Sequence, residues 1–211
     1  MTGFSRTLKY SAFVGLRTYL YSMALAILYS AYLGLLLGRS GSPEAFFVLV
    51  RRCVQISSLA MISTYGMFNA VTVLHGQLSS GCTRMCGAIG QGISGLISAV
   101  LSYITLVIWL LIGKEPGLGQ KLSLYAGELL FMVAISLIGA ALIQKFGRMA
   151  YIGFCCFCGV TIYILAANEG SMRIFARFLN GDIMFVVTSI ILVLIGQAIL
   201  VFSTRKIEVR V

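Results

Sequence analysis

Few residues in this chain could do chemistry, and their spacing limits what that chemistry would be. There is a single histidine, His75, so a catalytic triad or a His-based metal centre has no material. The six cysteines are Cys53, Cys82, Cys86, Cys155, Cys156 and Cys158. Cys82 and Cys86 stand at helical i,i+4 spacing, which suits two metal ligands. No histidine or carboxylate lies near enough in sequence to complete a tetrahedral set. The others fall in or beside apolar blocks, where cysteine acts as a small hydrophobe. Gly113-Lys114 lacks the upstream glycine and following hydroxyl of a phosphate-binding loop, and no G-x-S-x-G occurs. No active site, metal or cofactor is expected in this chain.

Two polar features remain. Glu128 is the one ionisable residue inside an apolar block, in Tyr125-Ala126-Gly127-Glu128-Leu129-Leu130. It follows Lys121 by about 10 Å of helix. An intramembrane carboxylate is costly and faces a bundle interior, a cavity or a partner. Two readings stand: pairing with an outer arginine, or a pathway or gating role. The second feature is a stripe at i,i+4 spacing: Gly90, Ser94, Ser98 and Ser102, flanked by Gly95 and Ala99. Small residues let helix backbones approach, and serines bond across helices. The stripe fits packing within the chain, an interface between two copies, or a pathway lining.

The elements that must position these residues are membrane helices. Hydrophobic residues make up 59% and charged residues 10% of the chain, against about 25% charged in soluble domains. The net charge of +10 is dispersed between apolar blocks rather than gathered in a patch. It therefore reports on orientation and anionic lipid, and nucleic acid is not an expected partner. One transmembrane domain over 1–211 is expected, all-α. It begins with an amphipathic interfacial helix at 1–16, where Phe4, Leu8 and Ala12 recur at i,i+4. Six apolar blocks follow at about 18–37, 53–73, 90–112, 122–143, 150–167 and 183–203, each near the roughly 20 residues that span hydrocarbon.

Lysines and arginines near the block ends favour both termini on the cytoplasmic side. Arg51 and Arg52 would then snorkel at the outer mouth of span two. Residues 168–182 alternate Met172, Ile174, Phe175, Phe178 and Leu179 with Arg173 and Arg177, which predicts a short amphipathic outer segment. Between spans two and three lies a polar link at 74–89, containing Leu74-His75-Gly76-Gln77-Leu78-Ser79-Ser80-Gly81-Cys82-Thr83-Arg84.

Over its whole length this pattern resembles the small six-span permeases of bacterial ABC-2-type transporters. The most specific piece is Ser80-Gly81-Cys82-Thr83-Arg84, similar to the small-Gly-x-[Ser/Thr]-Arg element of that group's span-two/span-three link. Arg205-Lys206-Ile207-Glu208-Val209-Arg210 looks like the group's basic tails. Met85 departs from the pattern, where many relatives carry a second basic residue.

The resemblance implies an ABC-2-type exporter fold in the bacterial cytoplasmic membrane. It implies that the link is a coupling element seated on a cytoplasmic ABC ATPase, with Ser80, Gly81, Thr83 and Arg84 as docking residues. Two ATPase subunits, binding ATP and Mg, would work with this chain and a second permease, identical or related. The cargo expected is a hydrophobic or amphipathic substrate such as a peptide. Another class of similar size is the six-span substrate-binding subunit of ECF-type vitamin importers. Its Ala-x-x-x-Ala surface is not made by Ala24, Ala26 and Ala31 of span one. A membrane enzyme such as a lipid transferase would need clustered acids or histidines.

Overall fold

A computed structural model describes residues 3–37, 43–79, 83–113, 117–147, 149, 152–153 and 183–205. The described elements are helices: α1 (Gly3–Leu37), α2 (Pro43–Ser79), α3 (Arg84–Ile112), α4 (Leu118–Phe146) and α5 (Ile183–Arg205). All five are long and apolar enough to cross a membrane. No strand occurs among the described residues. Pro43 opens α2, where its missing N–H is not needed. Gly147 ends α4 at φ 75° with its N–H donated to the Ile143 carbonyl at 2.8 Å, a backbone that favours glycine.

α3 is central and packs on each of the other four helices. α1 lies against α2 and α3, and α4 lies against α2, α3 and α5. The directions follow from matched residues. Gln55 meets Glu128, and Gly66 meets Ser136, so α2 and α4 run parallel. Gly127 meets Phe185, and Gly196 meets Ala134 and Leu137, so α5 is parallel to α4. Gln91 bonds to Gly66 while Trp109 meets Phe47, so α3 runs opposite to α2, and Gly15 at Ser94 with Tyr19 bonded to Thr105 makes α1 parallel to α3. The apolar centre is built by Ile62, Leu106, Leu110, Val133, Leu137 and Leu200. Many large apolar side chains point outward instead, Ile27 at 69% exposure among them, as lipid-facing helices require.

Three expectations are corrected. The separate interfacial helix at 1–16 is not there: α1 is one helix of 35 residues. Its Leu8 side, 47% exposed, turns away from the other helices. The buried face is Thr7, Ser11, Gly15, Thr18, Ser22 and Ala26. Small side chains win because they let α1 approach α3 closely. A Cβ on Gly15 would stand 2.7 Å from the Ser94 carbonyl oxygen.

The link at 74–89 is also shorter than expected. α2 continues through Ser79 and α3 starts at Arg84, so His75 belongs to a helix. Finally, Arg51 and Arg52 do not sit at a helix mouth. They lie about two turns inside α2, and Arg51 is 8% exposed. Most of the fifth block, 150–167, and the whole outer segment, 168–182, lie outside the described residues.

Candidate functional site

The corner between α2 and α3 is set by Thr83. Its backbone is extended (φ −72°, ψ 154°), and its hydroxyl oxygen accepts from the Cys86 N–H at 3.3 Å. That satisfies one of the four orphan N–H groups at a helix start. The Thr83 carbonyl accepts from the Gly87 N–H at 3.0 Å and closes the first turn. Arg84 follows as the first helical residue, half-buried, with no acid in that turn. Of the four expected docking residues, Thr83 and Arg84 are therefore at the N-terminus of α3. Ser80 and Gly81 lie outside the described residues, as does Cys82. Cys86 is a free thiol, and no group of three metal-ligating side chains occurs among the described residues.

Glu128 is half-buried and faces α2, where Gln55 Nε2 donates to its carboxylate at 2.6 Å. The carboxylate thus meets an amide from a neighbouring helix. Arg173 and Arg177, outer arginines of the segment at 168–182, lie outside the described residues. The small-residue stripe is wholly inside the bundle, with Gly90, Ser94, Ser98 and Ser102 all buried. Its neighbours are in this chain: Gly15 of α1 stands over Ser94, and Val133 of α4 packs beside Gly95.

Glutamines carry a pattern that the sequence reading passed over. Gln91 Nε2 on α3 donates to the Gly66 carbonyl of α2 at 2.9 Å. Gln197 Nε2 on α5 donates to the Ala88 carbonyl of α3 at 3.0 Å. With Gln55, each amide ties two helices together. The carbonyls that accept belong to glycine or alanine, where no bulky side chain holds the helices apart. The signal in the sequence was a lone glutamine inside an apolar run.

An apolar groove of about 750 Å³ lies between α1, α2 and the end of α3. It is lined by Ala26, Ile27, Leu35, Phe46, Val54 and Trp109, among others. Phe47 packs against Trp109 nearby, with the rings tilted by 49° and their centroids 6.0 Å apart. Comparison of the chain with family models, with curated proteins and with solved structures finds no match.

Proposed function

We propose that this chain is the membrane-spanning permease subunit of an ATP-driven exporter of the ABC-2 type, powered by a separate ATPase. The observation that carries the reading is Arg84 at the N-terminus of α3. A cation there opposes the helix dipole, at a cost of about 0.3–1 kcal/mol. No acid in the first turn offsets it. An acidic rim on a soluble partner would offset both the charge and the dipole. Thr83 serves such a contact indirectly, by fixing where α3 begins.

Two further features support the reading. The apolar groove suits the hydrocarbon part of an amphipathic substrate. The parallel course of α4 and α5 supports six crossings, and the lysines and arginines near the span ends favour both termini on the cytoplasmic face of a bacterial membrane. A peptide remains the preferred cargo, with a second permease copy or a relative completing the conduit.

The test is purification of the tagged full chain from its native membrane in mild detergent. Two ATPase subunits and two permeases are expected in one complex. A lone chain retaining a small vitamin would instead assign it to the binding subunits of importers.

A further inference from the structure

We propose that a single buried water occupies the junction of α1, α2, α3 and α4 and completes the hydrogen bonding of Ser98. A cavity of about 20 Å³ lies there, against roughly 10–15 Å³ needed to hold one water on this measure. Its polar lining comes from four helices: Thr18, Tyr65, Gln91, Ser94, Ser98 and Ser136. Ser98 is 1% exposed, and its Oγ has no hydrogen-bond partner. A hydroxyl left so in the membrane interior carries a desolvation cost of about 1–3 kcal/mol.

The bonding capacities match one water. Thr18 Oγ1 donates to the Val14 carbonyl at 2.9 Å, and Ser94 Oγ donates to the Gln91 carbonyl at 2.8 Å. Both hydroxyls have used their proton and keep lone pairs as acceptors. Ser98 keeps its proton. A water offers two donors to the first pair and a lone pair to the third, within the two to four partners a buried water needs. A sodium ion would also use the lone pairs. The lining contains no carboxylate, however, and an uncompensated buried charge is far costlier than a neutral water. A methyl-sized apolar filler would leave the Ser98 hydroxyl unmet.

The site also accounts for Gly66. A Cβ at that position would collide with the Ser136 hydroxyl, so glycine keeps the junction open on the α2 side.

A high-resolution structure of the full chain in lipid nanodiscs tests this. Expected is one solvent peak about 2.6–3.2 Å from Ser98 Oγ and from a second lining oxygen, absent in Ser98→Ala. Thermal unfolding should show the same Tm in sodium chloride and in choline chloride of equal ionic strength. A higher Tm with sodium would replace the water by a cation. An empty junction, with Ser98 Oγ turned onto a carbonyl of its own helix, would overturn the proposal outright.

Discussion

Glu128 shows how one buried contact constrains a residue's role. The carboxylate sits opposite Gln55 at 2.6 Å, in a medium that penalises any charge left without donors. Removing the donor alone should hurt most. Gln55→Leu is expected to destabilise the fold by about 1–3 kcal/mol, read as a fall in Tm in nanodiscs. The paired change Gln55→Leu with Glu128→Leu should recover most of that loss, because both polar groups go together. If the double variant is as unstable as the sum of the singles, the contact does not hold α2 to α4. Glu128→Gln keeps shape and an acceptor for Gln55 while deleting the charge. Near-normal expression is expected, with weaker export of a cationic amphipathic substrate under the proposed function. Unchanged export by that variant would leave Glu128 a purely structural partner of Gln55.

The helices were largely legible because an apolar run of about 20 residues admits few other structures in this composition. Blocks at 90–112, 122–143 and 183–203 lie within α3, α4 and α5. At the N-terminus, the periodicity of Phe4 and Leu8 did not reveal which side packs on α3. In lipid, apolar side chains gain nothing by burial against other helices, so close contact falls to small residues. Thr7, Ser11 and Gly15 were the informative positions, and the serine stripe on α3 was legible by that same logic. The glutamine ties were not, since the acceptor carbonyls are set by tertiary contact alone. Gly15→Leu should therefore disrupt the α1–α3 contact, with overpacking of about 1–3 kcal/mol read as a lower Tm. Gly34→Leu, which meets open space, is the control and should change little. At the N-terminal end of α3, Thr83→Ala is expected to cost about 0.5–2 kcal/mol of stability. Arg84→Glu should instead leave the Tm unchanged or raise it, since it favours the dipole, while lowering substrate-stimulated ATP hydrolysis. Normal ATP hydrolysis and transport by Arg84→Glu would remove the docking role.

For the molecule as a whole, helix direction carries more information than helix count. α1 and α3 run one way, while α2, α4 and α5 run the other. Gly147 therefore leaves α4 at one end of the bundle and Ile183 opens α5 at the opposite end. Under the proposed six-span topology, the apolar block at 150–167 would supply the return crossing between these two ends. Six crossings would put both termini on one face. The start of α2 and the start of α5 lie at the same end of the bundle. Single cysteines in a cysteine-free background can read this from intact cells. Ser40→Cys and Ser171→Cys should react with an impermeant maleimide from outside, whereas Ser80→Cys should react only after the membrane is opened. Replacing Cys53 removes a buried side chain, so the background needs native-like expression and Tm before labelling. Outside labelling of Ser80→Cys together with protection of Ser40→Cys would invert the orientation and remove the cytoplasmic corner on which ATPase docking depends. Protection of Ser171→Cys alongside Ser80→Cys would leave no crossing between α4 and α5, which their parallel packing forbids.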